Sequence, residues 1–473
     1  MGEAIKMGEN SLATQKVSKL ILKYAIPATI GNLVAALYNI VDQIFIGQGV
    51  GMLGNAATNV AFPLTTICTS ILLLIGVGSA SNFNLNLGAG NKEKAAHFVG
   101  TGITLLTISG ILIGILVLIF SEPLMKLFGA TEQVLPLALT YIRITAIGFP
   151  FLIFSSGASQ LIRADGSPTY SMLCVLSGAI INMILDPIFI FGFNMGMAGA
   201  ALATIIGQFV SFILVVRYLT KFKTFHITKE QLRPMFKYVR AIASIGAAAC
   251  ISHLAMALVQ IVMNNTLTYY GGLSEYGKDI PLASVGVISK VNIVLMAFTL
   301  GIAQGCQPIL GFNYGAKNYG RVKEVLKTAL VVLTSITVIA FICFQVFPRQ
   351  IIRIFGQGNE TYFKFAEKYF RIFMFMTFIN GIIPFAAHFF TSIGKAKIGV
   401  FLSLTRQTVF LLPLIIIFPI FMGIDGVMYA GPIADFAAAI IGAIAIYREI
   451  KNMSQTESNL LLGKLNVEVK RGA

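Results

Sequence analysis

Thr101-Gly-Ile-Thr-Leu-Leu-Thr-Ile-Ser-Gly-Ile-Leu-Ile-Gly-Ile-Leu-Val-Leu-Ile-Phe120 contains no charged residue. A bilayer core about 30 Å thick is crossed by about 20 apolar residues in a helix. Only a helix or a closed barrel satisfies its backbone N–H and C=O groups away from water. The stretch reads as a transmembrane helix, and Val331–Phe347 reads the same way. Outward from it, the 473-residue chain is 56% hydrophobic and 11% charged, with a mean hydropathy of +0.82. Soluble domains carry about a quarter charged residues, so this chain must cross the membrane many times. Its class is an all-α membrane protein.

The five cysteines (Cys68, Cys174, Cys250, Cys306 and Cys343) lie in apolar blocks without CxxC or Cys/His spacing. They read as packed free thiols. The net charge of +16 does not signal a nucleic-acid partner, because the basic residues gather at the ends of apolar blocks. Residues 1–19 are polar and charged, and the first apolar block is too long for a signal peptide, so no cleaved leader is expected.

Charges and Gly/Pro clusters divide the chain into twelve spans, near 20–47, 57–87, 95–120, 134–159, 168–192, 196–218, 240–270, 281–313, 324–347, 364–391, 398–421 and 424–447. With a cytoplasmic N-terminus, inner segments hold Lys16, Lys19, Lys23, Lys92, Lys94, Arg163, Lys317, Arg321, Lys323, Lys395, Lys397, Arg448 and Lys451, among others. Outer connections hold chiefly Lys126, Lys278, Arg349 and Arg353. The positive-inside rule then puts both termini in the cytoplasm. Residues 219–239 read as a cytoplasmic linker, with a surface-lying amphipathic helix as one form. The tail 448–473 is expected to be disordered in part.

The two halves, 1–218 and 240–447, repeat at an offset of about 227 residues. Gly88-Ala-Gly-Asn91 matches Gly315-Ala-Lys-Asn318, and Pro123–Gly129 matches Gln350–Gly356. Tyr141-Ile-Arg143 matches Tyr369-Phe-Arg371, and Gly196–Gly199 matches Gly423–Gly426. Six spans per repeat give parallel repeats about an axis along the membrane normal. Two pseudo-symmetric six-helix lobes around a central cavity are therefore expected.

Ionisable residues inside spans are costly and mark candidate sites. Asp42 in span 1 shares a face with Asn32 and Asn39. Asp186 in span 5 has Asn182 one turn before it, and Pro187 directly after it should kink the helix by leaving the Met183 carbonyl without its donor. Asp42, Asp186 and Thr204 fall about 7–12 Å below the outer boundary at 1.5 Å per residue. Their oxygens, with Asn182, suit Na⁺, and two neighbouring carboxylates also suit a proton. Packing hydrogen bonds or pairing with an arginine are the competing reading. In the second lobe His253, Gln260 and Asn264 share one face of span 7, which has no acid. Gln260, Asn264, Lys290 and Asp435 are candidate cavity residues, with a structural ion pair to Arg406 the alternative for Asp435. His253 and His388 read as interior histidines, and some of the 37 Phe and 17 Met residues are candidates to line a cavity for flat cations.

The chain resembles the multidrug and toxic compound extrusion (MATE) family across residues 18–447. The carriers are Pro27, Val41-Asp-Gln-Ile-Phe-Ile-Gly47, Leu87-Gly-Ala-Gly-Asn91, Arg163-Ala-Asp-Gly-Ser-Pro168 and Asn182-Met-Ile-Leu-Asp-Pro187. Gln304-Gly-Cys-Gln-Pro308 and Asn313-Tyr-Gly-Ala-Lys-Asn318 add a second-lobe signature. The resemblance implies a cation-coupled antiporter, with H⁺ or Na⁺ as coupling ion and no cofactor, and with Asp42, Asn182, Asp186 and Thr204 at the positions of an amino-terminal-lobe cation site. Another branch of the family has acids in spans 7 and 10, which this chain is expected to lack. Small cationic or aromatic organic substrates and multidrug efflux are implied as well. Alternating access by rocking of the two lobes, a cell-membrane location and a monomer embedded in lipid are expected alongside. A flippase for a lipid-linked precursor is the nearest rival, and an ion channel or membrane-embedded enzyme a rival of another class. No selectivity-filter-like sequence, zinc motif or Ser/His/Asp set supports the last two.

Overall fold

The computed structural model describes residues 11–277, 279–355 and 360–472. The first ten residues, Lys278, Gly356 and Ala473, on which some charge and repeat expectations fall, lie outside the described residues. Helices are the only regular secondary structure among the described residues. Twelve spans result when one bent pair is taken as a single span. Spans 1–6 are Val17–Gly49, Leu53–Gly88, Lys92–Ile119, Leu135–Ala164, Pro168–Gly192 and Gly196–Leu219. Spans 7–12 are Phe236–Gly272, Ala283–Gly315, Tyr319–Val346, the pair Glu360–Phe373 with Thr377–Ser392, Ala396–Met422 and Ile424–Asn459.

Span 3 shows how its sequence becomes packing. Ile108, Ile111, Leu112, Ile115 and Ile119 are exposed, the face that a lipid chain covers. Gly110 and Gly114 face the other way, onto Pro150 and Ala146 of span 4. Small residues let helix backbones approach, which is where packing energy between membrane helices comes from.

The lobes meet mainly through spans 1 and 8 and through spans 2 and 7. Glycines govern both crossings. Gly301 and Gly305 of span 8 lie on Thr29 and Ala25 of span 1, while Gly78 and Gly246 lie on Ile242 and Leu74 across the span 2–span 7 crossing. Hydrogen bonds add to this closure: Arg163 Nη1 donates to Gln304 Oε1 at 2.9 Å, Gln307 Nε2 to Ser81 Oγ at 2.7 Å and Asn82 Nδ2 to the Ala241 carbonyl at 3.3 Å. All these contacts lie in the halves of the helices nearest the two termini. The termini meet there too: Arg321 Nε donates to the Leu12 carbonyl at 3.1 Å, and Lys323 pairs with Glu457 at 2.8 Å.

One span is broken and two expectations are corrected. Span 10 is not one straight helix but turns by 46° between Phe373 and Thr377. Pro384 contributes, since its missing N–H cannot bond the Asn380 carbonyl, so the chain restarts as a helix at Ile382 with proline in its first turn. The linker forms no amphipathic helix; from Thr220 to Met235 it is turns and irregular chain. Asp165, just past span 4, holds it down by accepting from Lys223 N–H at 2.7 Å, Thr224 N–H at 3.1 Å and the Tyr218 hydroxyl at 2.9 Å. The tail, expected to be disordered in part, is helical among the described residues. The last helix runs unbroken from Ile424 to Gly472, with Met453 buried and Glu449 bonded to Lys395 at 2.5 Å.

Candidate cation site

Spans 5 and 6 cross where Gly178 faces Gly207 with no side chain between them. One turn further toward the connecting loop, that close crossing brings Asn182 beside Thr204. In the better-bonded orientation of the Asn182 amide, its nitrogen donates to Asp186 Oδ2 at 3.2 Å and its oxygen accepts from Thr204 N–H at 3.2 Å. Thr204 Oγ1 donates to the Ala200 carbonyl at 3.0 Å. Asp186 is fully buried and Asn182 nearly so, at 0% and 2% exposure.

Span 1 packs against span 5 and supplies Asp42, 7% exposed. The Asp42 and Asp186 carboxyls lie within hydrogen-bonding reach of each other. Asp42 Oδ1 is buried with no hydrogen-bond donor. Among the described residues neither carboxylate forms an ion pair, so the arginine-pairing alternative finds no partner.

Two residues that the sequence reading did not assign to the site join the group. Tyr38 and Tyr141 both stand close to the two carboxylates, and the Tyr141 hydroxyl is within hydrogen-bonding reach of Thr204. Tyr38 was findable, because it sits one turn before Asp42 on the same face. Tyr141 comes from span 4, and only packing brings it here. Asn32 and Asn39 do not bond to the acids: Asn39 bonds back to the Ala35 carbonyl at 2.7 Å, and Asn32 Nδ2 is buried without a partner.

Beyond Asp186 the α-helix ends at Pro187 and continues as a π segment, Ile188–Gly192. Proline offers no N–H to the preceding turn, and the wider π pattern takes up the slack. The π segment packs on span 1, with Gly49 against Ile190 and Phe191, and with Phe45 and Phe191 edge to face at 6.3 Å. The fifth helix of the other lobe also carries a π segment, Thr405–Leu411, but there it lies ahead of the proline, Pro413.

The second-lobe candidates do not form one group. Gln260 Nε2 donates to Asn264 Oδ1 at 2.9 Å on the same helix. Lys290 is exposed and has no ion pair among the described residues. Asp435 is 5% exposed and pairs with Arg406 from the π segment of span 11, the structural alternative raised for it. Span 10 does contain an acid, contrary to expectation: Glu367, paired with Arg349 at 3.4 Å.

The family model MatE matches residues 27–188 and 244–417, which fall one in each lobe. The multidrug export protein MepA of Staphylococcus aureus (strain MRSA252) is 25% identical, over 94% of this chain and 97% of its own. A solved structure described as the outward-facing conformation of a multidrug resistance MATE family transporter of the MOP superfamily superposes with a TM-score of 0.87. It is 22% identical and covers 96% of this chain and 99% of its own. A MOP superfamily transporter from Pyrococcus furiosus, described as having a binding pocket of reverse polarity, superposes at 0.86 with 23% identity over 96% and 99% of the two chains. Twelve apolar spans, paired lobes and a family match across both halves lead to one conclusion: the chain belongs to the MatE family of multidrug export transporters.

Proposed function

We propose that the chain is a secondary active antiporter that exports small cationic or aromatic organic compounds in exchange for H⁺ or Na⁺ taken up at Asp42 and Asp186. One observation carries this reading: two buried carboxyls within hydrogen-bond reach, with no basic partner for either among the described residues. Two like charges ~4 Å apart repel by about 4 kcal/mol even at an effective dielectric of 20. The pair therefore calls for a proton or a small cation between its oxygens. Asn182 and the Thr204 hydroxyl supply further oxygens of the hard type that Na⁺ prefers.

The ion ties span 1 to span 5, and the π segment beyond Pro187 rests on the far end of span 1. Its arrival reshapes that packing on the side away from the termini. The glycine crossings meanwhile hold the lobes together on the terminal side, which supports an outward-facing state from which substrate leaves. Rocking of the lobes about those crossings then gives alternating access. A cationic substrate and the coupling ion are drawn by the same negative charge, so their exchange is competitive. The positive-inside pattern supports cytoplasmic termini in the cell membrane, and the reading needs no cofactor and no second subunit.

Proteoliposomes with independently imposed Na⁺ and pH gradients test the assignment. Asp42→Asn should abolish gradient-driven efflux while inserting normally. Full efflux from both the Asp42→Asn and Asp186→Asn variants would reject the site.

A further inference from the structure

A cleft of about 410 Å³ lies between spans 10, 11 and 12 at their termini-side ends, away from the ion site. Ile398 and Phe401 of span 11 and Ile441 and Ile444 of span 12 line it, with Lys395 and Arg448 further toward the termini-side ends of those helices. Ile398, Phe401 and Ile444 are 37%, 54% and 47% exposed. In a membrane-spanning lobe such residues face acyl chains, so the cleft opens sideways into the bilayer.

The charges there do not cancel. Lys395 pairs with Glu449 at 2.5 Å, and that carboxylate is 4% exposed. Arg448, the neighbouring residue, is exposed and forms no ion pair among the described residues. Two cations thus stand beside one acid, which only Lys395 engages, and the Arg448 guanidinium is left unspent next to an apolar groove. A guanidinium matches the geometry of a phosphate better than an ammonium does. Basic pockets between transmembrane helices near the membrane surface take anionic headgroups. Charge and greasiness sit in the order of a phospholipid, headgroup above and chain below.

We propose that this cleft binds one anionic phospholipid from the leaflet on the side of the termini. Its phosphate lies on Arg448, and one acyl chain runs between Phe401 and Ile444. Span 12 owes the site to its continuation as a helix past the membrane boundary, which fixes Arg448 beside the groove. The span 10 and span 11 ends then bear on a lipid rather than on empty space.

Native mass spectrometry of the full chain, released from detergent with equal phosphatidylglycerol and phosphatidylcholine, reads this directly. One lipid should be retained, with phosphatidylglycerol preferred about fivefold, the factor given by ~1 kcal/mol for one basic residue at an anionic surface. Arg448→Gln should bring the preference to about one. Ile444→Trp, which fills the groove, should lower retention of both lipids. Equal retention by the unmodified chain overturns the proposal, as does survival of its pattern in either variant. Displacement of the lipid by an equal concentration of inorganic phosphate overturns it as well. None of these readouts depends on transport, so the antiport reading stands or falls separately.

Discussion

Gly88 of span 2 rests directly on the backbone carbonyl of Phe312 in span 8, with no space for a side chain between them. Gly315, its repeat counterpart, rests in the same way on the carbonyl of Leu85. The two contacts exchange under the same offset of about 227 residues, as a self-complementary two-fold interface requires. The termini-side closure of the lobes is thus built twice, once from each half.

A branched side chain at Gly88 should force that closure apart. Gly88→Val is expected to cost the closed arrangement about 1–3 kcal/mol, the usual penalty of overpacking. Amide hydrogen exchange in 85–91 and 312–318 should rise and efflux should fall. Unaltered exchange would show that the crossing is not what holds the lobes.

Thr204→Val keeps the shape of the proposed ion site but removes one oxygen. Losing one hydrogen-bond-strength ligand of about 0.5–1.5 kcal/mol should raise the half-saturating coupling-ion concentration about two- to tenfold. The maximal efflux rate should change less. An unchanged ion dependence would take Thr204 out of the site.

Arg406→Ala should strand the Asp435 carboxylate in the second lobe. Breaking a buried pair from one side costs about 3–5 kcal/mol, whereas replacing both partners by apolar residues is often neutral. The Arg406→Met, Asp435→Leu double variant should therefore recover most of the lost melting temperature. If it also keeps efflux, the pair is structural; loss of efflux from a stable double variant would mark it as a substrate contact.

Asp165→Ala should free the linker, because two backbone N–H groups and the Thr224 hydroxyl lose their acceptor, while the Tyr218 hydroxyl keeps Ser167 Oγ at 2.8 Å. Each buried donor left bare costs about 1–3 kcal/mol. Trypsin should then cut faster at Lys221 and Lys223. Burial, the largest influence, lifts this carboxyl above its ordinary value of 3.8, while the hydrogen bonds from Thr224, Lys223 and Tyr218 pull it back. The folded chain thus holds the proton to higher pH than the unfolded one. That contribution to stability is complete below pH 3.8 and is lost as pH rises through the folded value. Asp165→Asn should remove this slope from the melting temperature against pH; an identical slope would contradict it.

Hydropathy made the twelve spans readable because crossing a bilayer demands long apolar blocks whatever the neighbours are. Asp42 and Asp186 stood out for the same reason, as charges where charge is costly. The break in span 10 was less legible: Pro384 was in view, but the turn sits ahead of it, where neighbouring helices decide how the freed carbonyls are met. The linker misled because its composition suits an amphipathic helix, and only the buried Asp165 carboxylate decides that its backbone N–H groups point elsewhere.

By itself, the sequence determined a membrane-spanning helical chain with two repeated halves and two conspicuous acids, since these follow from local composition, periodicity and offset. Tertiary structure alone decided that Tyr141 joins those acids, that Arg406 neutralises Asp435 and that Gly88 meets Phe312. Those relations depend on distances between helices far apart in the chain, and helix packing rather than residue order sets such distances.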